Sequence, residues 1–313
     1  MNQVVRLFEA AALTLTAAAD GFLAACRARN LSPRTQDYYR YRLQAFARFL
    51  AQDAEVAKIS PAQIRDFLTS ELERHSSTTA AHSYITLSAL FAHLEREGQL
   101  DANPMSRVEK PKRRKTVIQT LSAAQVKSLL GALGRDFYGV RDRAALLILL
   151  DCGLRASELC GLEVGDASLE EQTLLVTGKG SKERVVPFGT AVRSALVSYL
   201  ARRGDADGPL FVNHYAEAFT RWGLRDMVSK RGRQAGVTGV RCSPHTLRHT
   251  FAVSYLRAGG DTFSLQKMLG HEDQAMTKHY CELADSDVRE KHRKFSPVDA
   301  LAPVARTGRK RLR

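Results

Sequence analysis

The chain is 313 residues long, with 44% hydrophobic and 26% charged residues. This composition excludes a long disordered polymer, and the length suggests about two domains. Lys and Arg outnumber Asp and Glu by 47 to 33, a net charge of +14, which favours nucleic acid as partner ahead of an anionic membrane. No membrane span or secretory signal is recognised, and five cysteines without a CxxC pair suit reduced thiols, so we expect a cytoplasmic protein acting on DNA.

The first hundred residues predict a bundle of helices. Ser-Pro pairs at 32–33 and 60–61 are typical helix starts, with proline at the first helical position. Apolar residues recur at a spacing close to 3.6 through four segments, and Gly98 ends the last of them. Four helices within about 90 residues predict a compact bundle.

A basic segment follows the bundle, where residues 109–116 read Glu-Lys-Pro-Lys-Arg-Arg-Lys-Thr. A proline-bearing basic run between two periodic segments indicates a linker, which is either a solvated connector or a strap along DNA phosphates. The strap is the interpretation we adopt. The candidate DNA-binding residues are those of this segment and one lysine of a later turn: Lys110, Lys112, Arg113, Arg114, Lys115 and Lys182.

The remainder of the chain predicts a helical domain with a small β-sheet. A helix start at 121–125 and an apolar helix at 141–152 precede a hairpin, whose strands cover 173–177 and 184–187. Further helices are predicted near 190–203, 216–235, 246–258, 262–269 and 274–292. The predicted organisation is an N-terminal extension 1–13, a helical domain 14–108, a basic linker 109–119, a second domain 120–300 and a basic tail 301–313.

Six side chains of the second domain suit phosphate chemistry. They are Arg155, Lys179, His245, Arg248, His271 and Tyr280. An arginine fork matches two phosphate oxygens, and histidine transfers protons near neutral pH. Each residue alone has an ordinary explanation: Arg155 could be a surface residue paired with Glu158, and a lysine in a turn is usually solvated.

A metal site is the competing interpretation, because histidine and cysteine recur between 242 and 281. Their spacing lacks the pairs of a structural zinc site, and Arg248 would repel a cation. The six side chains include no carboxylate for Mg²⁺, and the Walker spacing is absent, which disfavours two-metal nuclease chemistry and nucleotide hydrolysis. We therefore expect no metal and no cofactor. What remains is cationic stabilisation of a phosphoryl transition state, with Tyr280 as the hydroxyl nucleophile.

The order of these motifs resembles that of the tyrosine recombinases, also called the phage integrase family, over about residues 14–295. The matching segments are Gly-Leu-Arg-Ala-Ser-Glu-Leu at 153–159, His-Thr-Leu-Arg-His-Thr-Phe-Ala at 245–252 and Leu-Gly-His at 269–271, followed by Tyr280, with Lys179 in the hairpin where the family keeps its catalytic lysine. Any one of these motifs would be a weak signal, whereas all of them in order are specific.

The resemblance implies a role for each of the six residues. Tyr280 attacks the scissile phosphate to form a 3′-phosphotyrosyl bond, and His245 accepts its proton. Arg155 and Arg248 hold the non-bridging oxygens as bidentate donors. Two further roles are protonation of the departing 5′-oxygen by Lys179 and a hydrogen bond to the phosphate from His271.

The resemblance also implies a two-domain, C-shaped clamp around double-stranded DNA, made of a helical core-binding bundle and a catalytic domain. Four protomers assemble on two DNA sites, with 282–300 as the candidate for exchange between neighbours, and a related recombinase or accessory protein is a possible partner. Xer relatives follow the nucleophile with Thr-His, whereas Cys281 and Glu282 stand here. This departure favours integration, excision or transposition of a mobile element over Xer-type chromosome or plasmid dimer resolution. A catalytically idle architectural protein and a relaxing topoisomerase are two further hypotheses for the function.

Overall fold

The chain forms two compact units, Met1–Thr116 and Val117–Arg313. In this computed structural model the described residues are 12–51, 53–112, 118–178, 182–204, 207–270, 280, 281, 292, 296 and 298. Within them both units are mainly helical, and the second also contains a small antiparallel sheet. The predicted fold class, mainly α with a small β-sheet in the C-terminal part, is confirmed.

The first unit is a set of helices around an apolar core. The helices are α1 (Leu15–Ala28), α2 (Pro33–Leu50), α3 (Pro61–Arg74) and α4 (Ser77–Arg96), with 3-10 turns at Val56–Lys58 and Pro104–Arg107. The predicted starts of α2 and α3 are confirmed, because Ser32 and Ser60 each accept a hydrogen bond at the helix N-terminus. Phe46 and Phe91, both fully buried, lie in the core that these helices enclose.

The second unit adds further helices and three strands. The helices are α5 (Ala123–Gly131), α6 (Phe137–Asp151), α7 (Ala156–Cys160), α8 (Thr190–Arg203), α9 (Arg221–Gln234), α10 (Pro244–Arg257) and α11 (Thr262–Leu269). The strands are β1 (Ala167–Ser168), β2 (Thr173–Thr177) and β3 (Glu183–Pro187), with a 3-10 turn at Val164–Asp166. The strands pair antiparallel in the order β1-β2-β3, and Thr173 faces Pro187 in the β2–β3 register.

The predicted hairpin is confirmed, whereas three predicted helices have different bounds or lie largely outside the described residues. The helix predicted over 216–235 begins later, because Ala216 has a left-handed φ of 61° and Thr220 caps the helix through Gly223 N. The apolar helix predicted from 141 begins earlier, after the cap residue Asp136. The helix predicted at 274–292 lies outside the described residues, apart from the few helical positions 280, 281 and 292.

The core of the second unit brings distant segments together. Helix α6 packs against both α8 and α10, and Ala144, Ala145 and Leu146 in its middle are fully buried. A smaller apolar cluster joins α10, α11 and Tyr280, with Phe251 and Leu265 among its buried members. The turn after α6, the start of α10 and the end of α11 thereby converge near Tyr280. None of the helices in the described ranges is long and apolar enough to cross a bilayer.

Candidate active site

The turn after α6 requires glycine at position 153. Gly153 has a φ of +62°, and a Cβ there would lie 2.3 Å from Cδ1 of Phe251. The close approach lets the carbonyl of Gly153 accept a hydrogen bond from Arg248 Nη1 at 2.6 Å. The turn also places Arg155 as the N-cap residue of α7. The backbone of the motif at 153–159 is therefore hydrogen-bonded to Arg248 of the motif at 245–252.

Arg155 pairs with Glu158 and is also open to solvent. Its Nη1 donates to Glu158 Oε1 at 2.7 Å, and its backbone N donates to Oε2 at 2.8 Å. The Arg155 side chain is nevertheless 41% exposed, whereas the Glu158 side chain is 3% exposed. The predicted pairing with Glu158 is confirmed, and it orients a guanidinium that faces outward, while phosphate binding by Arg155 stays a prediction.

Arg248 is the buried member of the arginine pair, with a side chain 4% exposed. Burial, and then the charge of Arg155, lower the pKa of Arg248 to about 10, while Glu158 opposes the change. A pKa of about 10 leaves the guanidinium protonated at neutral pH. The positive charge is thus retained in a largely dry position, where it acts strongly on a neighbouring anion.

Arg184 of β3 is a third arginine at the site, and the sequence analysis did not single it out. Its Nη1 and Nη2 donate to the two oxygens of Glu158 at 3.0 and 2.9 Å. Burial alone would raise the pKa of Glu158, but the hydrogen bonds from Arg184 and Arg155 outweigh burial and lower it. The six residues singled out in the sequence include no carboxylate, and the structure adds Glu158 to them. The carboxylate at 158 is the counter-ion of the arginines.

The C-terminal end of α11 holds the three arginines in one frame. The last carbonyls of a helix lack intrahelical partners and carry the negative end of its dipole, so they favour cationic donors. Gly270, with a left-handed φ of 61°, ends the helix. Three successive carbonyls each accept from a different arginine: Met268 O from Arg184 Nε at 2.9 Å, Leu269 O from Arg248 Nη2 at 2.9 Å and Gly270 O from Arg155 Nη2 at 3.1 Å.

Tyr280 reaches this cationic cluster from the apolar side. The residue is 2% exposed, and its Oη lies 2.7 Å from Nδ1 of His249. Burial raises the pKa of the phenol, while the charge and a hydrogen bond of Arg248 and the charge of Arg155 oppose that rise. The structure therefore brings Tyr280 together with two of the predicted phosphate-binding residues.

His245 lies one turn before His249 on α10 and is exposed. The two imidazole centroids are 4.1 Å apart with an edge-on geometry. Desolvation, and then the charge of Arg248, lower the pKa of His245. From the sequence, His249 is only one of the histidines between 242 and 281 that suggest the competing metal site. The useful signal was its position beside Arg248 and four residues after His245.

A groove of about 990 Å³ opens beside the arginine cluster. Among its lining residues are Arg155, Lys182, Arg184 and Lys267, with the carboxylates of Glu158 and Glu183. Lys182, which is exposed, therefore lines the same groove as Arg155. Two other candidate DNA-binding residues, Lys110 and Lys112, are exposed in the first unit.

Several predicted site residues lie outside the described part of the chain. They are Arg113, Arg114, Lys115, Lys179 and His271. Within the described ranges, no group of three or more His, Cys, Asp or Glu side chains is arranged to hold a metal ion. The described cysteines at 26, 152, 160, 242 and 281 are free thiols.

The second unit is mainly helical and places a buried tyrosine against an arginine. Comparison with known families shows which class of protein has this arrangement. Residues 119–287 match the phage integrase family, and residues 19–99 match the phage integrase N-terminal SAM-like domain. The chain belongs to the phage integrase family and is a tyrosine site-specific recombinase.

Individual relatives cover most of the chain. Tyrosine recombinase XerC of Oceanobacillus iheyensis is 35% identical over 283 residues, covering 86% of this chain and 92% of the relative. Tyrosine recombinase XerD of Yersinia pestis is 32% identical over 278 residues, covering 86% and 93%. Among solved structures, a lambda integrase dimer bound to a COC′ core site has a TM-score of 0.74 at 19% identity, covering 87% of this chain and 77% of that one. A XerH recombinase bound to a palindromic difH substrate has a TM-score of 0.71 at 21% identity, covering 90% and 85%. These two structures share its fold.

Proposed function

We propose that this recombinase cuts and rejoins double-stranded DNA through a 3′-phosphotyrosyl bond formed by Tyr280. The observation that carries the proposal is the phenol of Tyr280, buried and in contact with the Arg248 guanidinium, with the charge of Arg155 acting on it. A phosphodiester placed there would meet a nucleophile and two cationic donors together. Such preorganised donors stabilise the negative charge that develops on the phosphate.

The chemistry needs a proton acceptor at the nucleophile and a proton donor at the leaving group. Tyr280 loses its proton as its oxygen attacks phosphorus, and the departing 5′-oxygen gains one, for which Lys179 is the candidate. Arg155 and Arg248 hold the non-bridging oxygens. Removing either should cost about 3 kcal/mol of transition-state stabilisation. A 5′-hydroxyl reverses the attack and rejoins the strand. Because the phosphotyrosyl bond conserves the phosphodiester energy, no external energy source is required.

The groove beside the site suits a DNA backbone that leads to the scissile phosphate. Its cationic residues Arg155, Lys182 and Lys267 lie around the mouth of the site. Phosphate contacts position a protein on DNA, and they make binding salt-dependent. The core site bound by lambda integrase and the difH substrate bound by XerH support DNA as the partner of this chain.

We further propose a homotetramer on two DNA sites. A lambda integrase tetramer bound to a Holliday junction shares the fold, with a TM-score of 0.74 at 20% identity. Segment 282–300 is the candidate for exchange between protomers, and it lies almost entirely outside the described residues. Mass photometry on DNA carrying one or two sites tests the proposal. Two protomers per site and four per paired complex are expected, whereas a persistent monomer would contradict it.

For the biological role, we propose movement of a mobile element by integration, excision or transposition. The departure from the Xer pattern after Tyr280, at Cys281 and Glu282, supports this role. Xer-type dimer resolution is the second candidate, and the similarity to XerC and XerD over 86% of the chain favours it. The position of the cleaved DNA separates the two roles: element ends for the first, a single chromosomal or plasmid site for the second.

Covalent capture tests the proposed chemistry. The protein is expressed beside its flanking DNA, the cells are lysed in SDS, and the DNA attached to the protein is sequenced. Adducts at discrete sites are expected for the wild type and should vanish in Tyr280→Phe, because phenylalanine lacks the hydroxyl. Binding and bending of DNA without adducts from either protein would instead support an architectural role. Relaxation of plasmid without site preference would support a topoisomerase.

A further inference from the structure

The contact between His249 and Tyr280 points to a catalytic role for a residue outside the six-residue pattern. Nδ1 of His249 and Oη of Tyr280 are 2.7 Å apart, the normal length of a strong hydroxyl hydrogen bond. We propose that His249 accepts the proton of the nucleophile, the role that the sequence pattern gives to His245. This inference rests on the strand-transfer function proposed above.

The phenol of Tyr280 has hydrogen-bond contacts with both Arg248 and His249. Arg248 hydrogen-bonds to Tyr280, and a guanidinium has donors only, so the phenol oxygen is the acceptor in that bond. In the proposed arrangement the O–H of Tyr280 donates to Nδ1 of His249, 2.7 Å away. Nδ1 accepts this proton when the neutral imidazole carries its hydrogen on Nε2.

The surrounding charges tolerate the transfer. His245 and Arg248 face the pair from α10, and Arg155 faces it from the turn before α7. The charges of Arg248 and Arg155 disfavour an imidazolium, but they favour a phenolate in the same place. Moving a proton from neutral phenol to neutral imidazole leaves the net charge of the pair unchanged, so the two effects largely offset each other.

His245 is less suited to the same task. Its imidazole is exposed and packs edge-on against the ring of His249, at a centroid distance of 4.1 Å. An exposed imidazole at the mouth of the site can meet the incoming phosphate. His249 is the half-buried ring, and it already touches the atom that must be deprotonated.

The complete step balances within the proposed site. The Tyr280 proton moves to His249 Nδ1 while the phenol oxygen bonds to phosphorus and the bond from phosphorus to the 5′-oxygen breaks. The departing 5′-oxygen takes a proton from the general acid, for which Lys179 is the candidate. On rejoining, a 5′-hydroxyl attacks, and the imidazolium returns its proton to Tyr280.

The test compares His249→Asn with the matched variant His245→Asn, one helical turn away. An asparagine amide occupies nearly the position of Nδ1 and keeps a hydrogen bond to the phenol, but it cannot take a proton. The measurement is the rate of covalent complex formation on a nicked duplex that carries the captured cleavage site. The protein is saturating, and the pH runs from about 5 to 9, a range that spans the ordinary pKa of histidine.

The expected results differ between the two variants. His249→Asn should bind the duplex with unchanged Kd, form the adduct about 10²- to 10⁴-fold more slowly, and lose the fall in rate that protonation of the base causes at low pH. His245→Asn should also be slower, but it should keep that fall. Free imidazole should restore adduct formation to His249→Ala.

Three results would overturn the inference. They are a wild-type rate for His249→Asn, loss of the low-pH fall in His245→Asn alone, and ¹⁵N NMR of the DNA-free protein showing Nδ1 of His249 protonated. If His249→Asn melts early, His249→Gln carries the same expectations. Absence of adducts from the wild type would contradict the proposed function itself. If instead the wild type and His249→Asn form adducts at equal rates, only the role given to His249 is contradicted.

Discussion

At the scale of single residues, the Glu158 carboxylate decides how the arginines are arranged. It accepts from Arg155 and, through both oxygens, from Arg184, while Arg248 Nη1 lies 3.9 Å away. Two of these arginines are proposed to hold the phosphate, and the third connects β3 to the site. The carboxylate therefore orients cations that would otherwise repel one another.

Glu158→Gln should destabilise the protein strongly. The substitution leaves buried guanidinium groups without their counter-ion, and breaking a buried pair costs about 3–5 kcal/mol. Urea denaturation at pH 7 measures the free energy of unfolding. The matched control is Glu170→Gln, at an exposed turn position, which should change stability by less than about 0.5 kcal/mol. Equal losses in both variants would contradict the role given to Glu158.

The difference in stability between the wild type and Glu158→Gln should depend on pH. The pKa of Glu158 is lower in the folded chain than its ordinary value of 4.5, so the unfolded chain binds the proton more readily. The stability that Glu158 contributes is therefore present above pH 4.5 and is lost as the pH falls through the folded-state pKa. The stability difference between wild type and Glu158→Gln should shrink over that range. A difference that grows with acidification would show the opposite sign of the pKa shift.

At the scale of elements, α10 carries Arg248 and both histidines of the site. Ser243 caps this helix by accepting a hydrogen bond from Thr246 N at 3.2 Å. The helix start thereby fixes His245 in the first turn and His249 in the second. The local sequence, Ser-Pro before the motif, thus determines where the reactive side chains begin.

Ser243→Ala should lower the free energy of unfolding by about 1 kcal/mol, since alanine cannot accept the hydrogen bond from Thr246 N in the first turn. Ser243→Asp should restore most of the loss, because its carboxylate accepts the same bond. Ser194→Ala, in the exposed middle of α8, provides the control and should be neutral or slightly stabilising. Thermal and urea unfolding measure all three, and a loss at Ser194 as large as at Ser243 would contradict the capping argument.

The sequence predicts the elements of the site better than their contacts. Ser-Pro starts, the hairpin and the positions of Arg155, Arg248 and Tyr280 follow from local spacing and motif order. The contact between Arg184 and Glu158 joins residues 26 apart, and that between His249 and Tyr280 joins residues 31 apart. Contacts of this kind depend on tertiary packing, which periodicity does not encode. The missed bend at Ala216 has a local cause, a left-handed residue that is not glycine.

At the scale of the whole molecule, the two units have separate apolar cores. Phe91 is fully buried in the first core and Leu146 in the second. A residue buried in one core therefore contributes its packing to the stability of that unit. This arrangement predicts that each unit unfolds as its own cooperative segment.

Phe91→Ala should destabilise the first unit by about 3–5 kcal/mol through the cavity it leaves. Hydrogen exchange read by mass spectrometry should show faster exchange in α1–α4, with protection retained in α6. Leu146→Ala is the reciprocal variant, and it should expose the second unit while the first stays protected. Uniformly faster exchange in either variant would mean that the chain unfolds as one unit.

The net charge of +14 predicts DNA binding that falls steeply with salt. Between about 50 and 200 mM salt the affinity should drop by more than ~10-fold, because each phosphate contact releases counterions. Lys182→Gln should reduce the slope of log K against log salt by about one. Tyr280→Phe changes no charge and should keep the wild-type slope. An affinity for DNA that does not depend on salt would contradict a groove that binds DNA phosphates.

The arrangement around Glu158 also limits how this chain can diverge. Of the three arginines near that carboxylate, Arg155 and Arg248 have roles in the proposed reaction, whereas Arg184 binds Glu158 and Met268 O. Loss of Glu158 should therefore cost less stability in a chain where a neutral side chain has already replaced Arg184 than in the present chain. The order in which the two changes occur then matters, so the fitness effect of one substitution depends on the other. Such dependence makes positions 158 and 184 an epistatic pair.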